Sequence, residues 1–204
     1  MVGINDLFQS IHRFSNLKAR LEPLALNHAE ALSEVGLDES IWAMGTKHVS
    51  DEDEMSAYVD DAVAERRAGI SYPFAIIDVE SGTIAGCTRL FNFSWEHKRV
   101  EIGYTWIGKD FQGTGLNRAV KFELLRFCFE QLGMIRVELK TDRRNTASRK
   151  AMLKIGLSEE GILRSHTINW DGYRRDTVCF SMLDSEWSEI RQQVFSDFLE
   201  DAVS

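Results

Sequence analysis

The segment that most limits what this chain can fold into runs from Arg99 to Thr141. It opens with "RVEIGYTWIG", in which Val100, Ile102, Tyr104 and Trp106 alternate with Glu101, Gly103 and Thr105, the period-two pattern of a strand. A polar loop follows, and then a run from Asn117 to Leu132 with apolar residues on two helical faces: Val120, Leu124, Phe127 and Cys128 on one, Phe122, Leu125 and Phe129 on another. Such a helix is buried on more than one side. Gly133 ends it, and "IRVELKT" alternates as the next strand. Two strands joined by a helical crossover lie side by side in parallel, so the fold contains a parallel pair with a glycine loop at its end.

The flanking sequence builds a sheet around that pair. Residues 1–16 carry Ile4, Leu7, Phe8, Ile11 and Phe14 at helical spacing and predict an N-terminal helical extension, suited to clasp the domain or to meet a second copy. Leu17 to Leu26 alternates as a strand, and "NHAEALSEVG" predicts a helix opened by Asn27 and closed by Gly36. Another helix begins at Ser50, with Asp53 in capping-box position, and ends near Gly69. "PFAIIDVESGTIAGCTRLFNF" predicts an antiparallel hairpin turning at "ESGT". Beyond the parallel pair, "NTASRKAMLKIG" is a helix with Asn145 as N-cap and Gly156 past its end. Strands at Ser158 to Asn169 and Tyr173 to Leu183 flank "WDGY", where Asp171 and Gly172 are expected to take positive φ, and residues 185–204 form a helical tail with an acidic end. The order predicts an α/β (α+β) mixed sheet of about seven strands with helices on both faces. With 204 residues and 44% hydrophobic content there is material for one core, hence a single domain over 1–204.

Charge and cysteine usage exclude several function classes. A net charge of −8 and a pI near 5.2 do not suit nucleic acid, whose phosphates are held by clustered Lys and Arg. Small cationic or amine partners fit better. The acidic runs Asp51 to Glu54 and Asp60 to Asp61 are read as a solvated helix face. Cys87, Cys128 and Cys179 lie in apolar patterns without disulfide or zinc spacing, as core thiols of a reducing compartment do. His12, His28, His48, His97 and His166 are scattered, so no metal site is expected. No apolar run approaches the ~18 residues of a membrane span and no leader pattern opens the chain, which predicts a cytoplasmic protein without a membrane partner.

The glycine pair carries the chemistry. In "WIGKDFQGTGLNRAV" the backbone can turn sharply and approach a ligand, while NH groups of the loop and helix start point at an anion. The Lys and Ser/Thr of a P-loop are missing, and on spacing alone a structural turn and an anion site are equal readings. Further on, Ser148, Met152 and Ile155 share one helical face, which turns Ser148 inward.

The stretches "EIGYTWIGKDFQGTGLNRAVK", "LGMIRVELKTDRRNTASRKAMLKIGLSEEGILR" and "DGYRRDTVCFSMLDSEW" resemble the GNAT superfamily of acyl-CoA-dependent N-acyltransferases, in its RimJ/RimL-like branch, which acetylates ribosomal-protein N-termini. Gln112 to Gly115 matches the family loop; Asn117 stands where the family has Gly or Ala. The resemblance implies acetyl-CoA in an opening between the strands ending near Ile107 and starting near Ile135, its pyrophosphate on Phe111, Gln112, Gly113, Thr114, Gly115, Leu116 and Asn117. Its pantetheine arm would bond to backbone at Trp106 and Ile107 as an added strand, with Asn145 contributing an amide contact that competes with plain N-capping.

It further implies direct attack of an amine on the thioester. Glu101, on the face opposite Val100 and Ile102, and Glu160, in the "EEG" position, are alternative bases. Ser148 would protonate the departing thiolate, and a backbone NH near Trp106 would meet the oxyanion. Trp95 and Tyr104, with Trp42 and Trp170, are candidate walls of the acceptor pocket. A peptide N-terminal amine is the acceptor the branch implies; a small amine, or a non-catalytic acyl-CoA sensor, are the alternatives, and the N-terminal helix or final hairpin would serve a homodimer.

Overall fold

The computed structural model describes residues 4–199. Eight strands form one sheet: β1 (Phe14–Ser15), β2 (Ala19–Pro23), β3 (Tyr72–Asp78), β4 (Ile84–Ser94), β5 (Arg99–Ile107), β6 (Arg136–Asp142), β7 (Ser158–Ile168) and β8 (Arg174–Leu183). Their order is β1-β2-β3-β4-β5-β6-β8-β7, and β5–β6 is the parallel pair. The helices are α1 (Ile4–Gln9), α2 (Ala29–Gly36), α3 (Glu39–Trp42), α4 (Glu52–Arg67), α5 (Leu116–Arg126), α6 (Thr146–Lys154) and α7 (Asp184–Val194).

Alternation on the strands separates two cores. Val100, Ile102, Val137, Leu139, Val178 and Phe180 point to one face, where α5 and the π-turn Phe127–Gln131 bury Val120, Leu124, Phe122 and Phe129 beside Met152 of α6, Ile155 just past its end and Trp187 of α7. Trp106, Cys87 and Ala75 point to the other, beneath Leu32 of α2 and Met55, Tyr58 and Val59 of α4. Helices thus cover both faces. Burial pushes the thiols of Cys87, up to about 11, and of Cys128 well above the ordinary cysteine range, so they are inert core groups.

Several local expectations shift. The eighth strand arises inside the expected N-terminal helix: α1 ends at Gln9, the Tyr72 hydroxyl donates to the Ser10 carbonyl at 2.9 Å, and Phe14 is drawn into the core against Phe74 and Phe127. The pairing of Phe14 with Leu21 follows from that burial. The cap of α4 is Asp51, which accepts from Glu54 N at 2.8 Å, while the Glu54 carboxylate takes the Ser50 NH, so the box sits one residue later than read. A 3₁₀ turn at Leu26–His28 precedes α2 in place of an Asn27 cap. In the β7–β8 turn only Gly172 has positive φ, +83°; Asp171 instead accepts from Tyr173 N. The tail folds back, since Phe195 and Phe198 pack on Phe122; residues 200–204 lie outside the described residues, as do the first three.

The approach of β4 to β5 is unusually close. A Cβ on Gly86 would sit 2.1 Å from the Trp106 carbonyl oxygen, so only glycine fits. Two register shifts interrupt the same ladder, one around Asn92 in β4 and one in β5 between Gly103 and Trp106, where Tyr104 takes φ +48°. The second is a β-bulge, an extra residue that leaves backbone groups unpaired. Beneath it lies Lys121 of α5, 5% exposed, whose amine is pushed down to about 7 by burial.

Two stability outcomes follow. Gly86→Ala is expected to cost more than about 3 kcal/mol in urea unfolding, because backbone must separate to admit the methyl. For Lys121 the sign is set by a folded pKa near 7 below the ordinary 10.5: between these values the unfolded chain holds a proton the folded chain has lost, so this group's contribution to stability rises with pH across that window. Lys121→Met should therefore raise Tm most below pH 7 and least near pH 10.5; a pH-independent difference would refute the assignment.

Candidate active site

The site starts from an opening in the sheet. β5 and β6 pair at Arg99–Arg136, Val100–Val137 and Glu101–Glu138 and then part. From Ile102 to Ile107, β5 stays with β4, bonded as far as Gly108 NH to the Ala85 carbonyl at 2.8 Å. From Leu139 to Asp142, β6 stays with β8. Two strand edges inside the sheet face each other across a wedge, a place where an extended ligand arm can add as a strand.

The glycine loop closes the wide end. Gly113 and Gly115 have φ +76° and +92°, which glycine adopts without strain. A Cβ on Gly113 would meet nothing within 4 Å, so the loop presents bare backbone. Among the described residues the NH groups of Gly113, Thr114, Gly115 and Asn117 find no protein partner, while Leu116 NH is taken by the Thr114 hydroxyl. Leu116 is buried and anchors the helix start, and Phe111 packs against the first core. Gln112 reaches back, its amide donating to the Ile107 carbonyl at 2.9 Å, and so ties the loop to the end of β5. Asn117 lies in helical backbone, so no glycine is required there; its Oδ1 is buried and has no partner among the described residues. Free NH groups, the N-terminus of a helix of 11 residues and a loop that presents bare backbone at Gly113 fit a pyrophosphate. Lys18, whose side chain lies 3.7 Å from a Cβ built on Gly115, adds a cation beside the loop that sequence reasoning missed. It sits between two short strands nearly a hundred residues away, where no periodicity marks it.

The carboxylate Glu101 occupies the apex, in the last pair before the strands part. It is buried and faces away from Val100 and Ile102 as alternation requires. One oxygen accepts from Asn92 Nδ2 at 2.9 Å and from Lys140 Nζ at 2.6 Å. Burial pulls the Lys140 amine down, but the bond and charge of Glu101 and the charge of Glu138 outweigh it and raise the pKa, so the lysine stays cationic. Glu160 is differently placed. Its two oxygens accept from Arg136 NH groups, one at 2.7 Å, and from the Ser181 hydroxyl at 2.8 Å. The Arg136 bonds, ahead of Ser181, hold its pKa down to about 2.

At the start of α6 the Asn145 side chain is the N-cap, accepting from Ser148 NH at 2.9 Å, and its amide NH₂ stays free to donate. Ser148 is half-buried above Met152 and Ile155, its hydroxyl without a hydrogen-bond partner among the described residues. Tyr104 stands on the bulge, exposed, beside the Phe91 ring. Trp106 turns its indole into the second core against Trp42, so only its backbone borders the wedge. Trp42 is buried with it, while Trp170 stacks on His48 at 4.1 Å and donates to the Trp42 carbonyl, tying the β7–β8 tip to the segment after α3. Trp95 is not brought to the site: it stacks on Phe93 against the first core, at the β4–β5 turn beyond the paired end.

Among the described residues there is no His, Cys, Asp and Glu cluster able to hold a metal, and no helix long and apolar enough to cross a membrane. The family model "Acetyltransferase (GNAT) domain" matches residues 18–158. YdaF of Bacillus subtilis, named "Putative ribosomal N-acetyltransferase", is 35% identical over 106 residues, 52% of this chain and 57% of that protein's length. Among solved structures, a GCN5-related N-acetyltransferase from Brucella melitensis superposes with a TM-score of 0.83 at 29% identity over 91% of this chain and 84% of that one. Mycobacterium smegmatis RimJ in complex with CoA-disulfide shares the fold at TM-score 0.76 and 22% identity, over 92% of this chain and 94% of that one. The wedge, the loop at its mouth and the matching family model together establish that the chain belongs to the GNAT family of acetyltransferases.

Proposed function

We propose that the protein moves an acetyl group from acetyl-CoA to a primary amine, and that the acceptor is the N-terminal amine of a protein or peptide. The observation that carries this reading is Glu101 at the apex of the β5–β6 wedge, at the far end from the anion loop. The naming of YdaF as a ribosomal N-acetyltransferase supports the peptide acceptor.

Acetyl-CoA, when bound, supplies an activated acyl group as a thioester. The backbone NH groups of Gly113, Thr114, Gly115 and Asn117 would hold its pyrophosphate, Lys18 would add charge, and backbone at Trp106 and Ile107 would align the arm. The free amide of Asn145 steadies the same arm. Glu101 draws a proton from the acceptor ammonium, directly or through water, and Lys140 and Asn92 keep the carboxylate oriented while its second oxygen stays free. A backbone NH of the Gly103–Trp106 bulge would supply a hydrogen bond to the acyl oxygen. Ser148 would give its hydroxyl proton to the departing sulfur and be reprotonated by the second proton that the acylated nitrogen loses, while the first, taken by Glu101, passes to solvent. Tyr104 and Phe91 border the acceptor. Glu160 keeps β7 on β8 through Arg136 and Ser181 and takes no proton.

The first test is thiol release from acetyl-CoA with N-terminal peptides, polyamines and amino acids. Peptide-dependent release is expected; release only with small amines would replace the acceptor, and binding without release would leave a sensor. Gly113→Val should keep the fold and weaken acetyl-CoA binding about tenfold or more by calorimetry, since a β-branched residue at positive φ distorts the cradle. Glu101→Gln should lower kcat by roughly a hundredfold with acetyl-CoA affinity unchanged, and Ser148→Ala by about tenfold. Glu160→Gln should retain kcat within a few-fold, and a hundredfold loss there would return the base to Glu160.

A further inference from the structure

Lys121 is a buried amine in a helix facing the sheet, with no part in the chemistry above. Its Nζ donates to the Thr105 hydroxyl at 2.7 Å. Thr105 shares a 2.7 Å bond with the Thr88 hydroxyl, and Thr88 reaches the Gly103 carbonyl at 3.5 Å. The chain therefore runs from α5 through the side chains of β5 and β4 to the backbone on which the bulge begins. Among the described residues no carboxylate lies within ion-pair distance of Lys121, and burial alone accounts for its lowered pKa. On its own helix, Glu123 is bonded to Asn16 and Arg126, and Arg118 to Asp197 and the Val194 carbonyl. From the sheet the groups reaching it are hydroxyls.

The opposite face holds the same bulge with a second cation. Arg89, 3% exposed, lies with its guanidinium 4.6 Å from the Tyr104 ring centre and 4.9 Å from that of Tyr58, and is paired with Glu65 at 2.9 Å. Thr88 and Arg89 are adjacent on β4 and point to opposite faces. Tyr104 is thus pressed from one side while Thr105 is bonded from the other. A non-glycine residue at φ +48° persists only where its surroundings over-determine it, and these contacts supply that constraint.

We propose that Lys121 is a positioning residue for acyl transfer: through Thr105 and Thr88 it fixes the bulge of β5, and with it the backbone donor that meets the acyl oxygen. This rests on the acetyl-transfer reading above. An apolar residue of like size in its place leaves the core filled and Thr105 without its donor, so the effect falls on the bulge and not on the fold. The amine acts on the reaction only through Thr105.

The test compares Lys121→Met, Thr105→Val and Thr105→Ser with wild type. In the free protein, exchange of the Gly103–Trp106 amides should quicken about tenfold or more in Lys121→Met and Thr105→Val, and return to within a few-fold of wild type in Thr105→Ser, which keeps the hydroxyl. By calorimetry, the preference of wild type for acetyl-CoA over CoA should shrink in the first two variants and survive in the third. In turnover, kcat should fall about tenfold with acceptor KM unchanged within twofold. Unaltered exchange and unaltered acetyl-CoA preference in folded Lys121→Met overturn the proposal, and so does equal loss in Thr105→Ser and Thr105→Val. Wild type that releases no thiol with any amine would refute the acetyl-transfer reading, while exchange in the free protein still judges Lys121. Should Thr105→Val not fold, Lys121→Met and Thr105→Ser decide the matter.

Discussion

The rest of the structure depends on β5 and β6 being each bound more firmly to an antiparallel neighbour than to one another. β6 is laddered to β8 along its whole length, whereas it meets β5 at three residue pairs. β5 is drawn toward β4, where Gly86 lets the backbones almost touch. Strand twist then opens the parallel pair like the blades of a pair of shears. The single crossover helix between them brings a glycine loop and a helix N-terminus to the open end, and the paired end sets a buried carboxylate at the apex. A glycine loop at one end and a buried carboxylate at the other are thereby spaced along the strand, without any long insertion.

Charge along the helix-free stretch of the sheet follows from the same alternation. Val137, Leu139, Val178 and Phe180 are spent on the core, so Glu138, Lys140, Cys179 and Ser181 face outward beside Glu101. Their partners differ from one carboxylate to the next. Glu160 is saturated by a guanidinium and a hydroxyl, and Glu138 by Arg136 with Lys140 and Arg99 nearby. Glu101 at the apex has one oxygen without a partner among the described residues. Two glutamates alike in the sequence are separated by what stands opposite each in the ladder.

Much of this was legible from residue patterns. Alternation in "RVEIGYTWIG" and "IRVELKT" and the two-faced helix between them implied the parallel pair, and Asn145 with Gly156 bounded α6 as read. What escaped notice was set by distant partners. The short strand at Phe14 exists because Phe74 and Phe127 receive that ring. The shift of the α4 cap turns on a carboxylate outcompeting a hydroxyl one residue away. The divergence of Glu101 and Glu160 needed Arg136 and Lys140, whose facing positions only the register reveals. Lys121 did leave a trace, a charged residue amid "AVKFELL" on a helix apolar on two sides, but the hydroxyls that receive it lie on other strands. The bulge that aims Tyr104 had no sequence mark beyond Gly103.

The wedge has a meaning for the lifetime of the chain as well as for its chemistry. Strand edges that lack partners are adhesive, and proteins ordinarily confine them to the margins of a sheet, where charge or a covering loop guards them. Here two such edges are carried in the middle. Any molecule that lies between them completes a ladder the polypeptide alone leaves unfinished, and by mass action draws the population toward the folded form. A ligand that fills such a gap acts on the stability of the chain as well as on its chemistry, and the two effects rise together with its concentration.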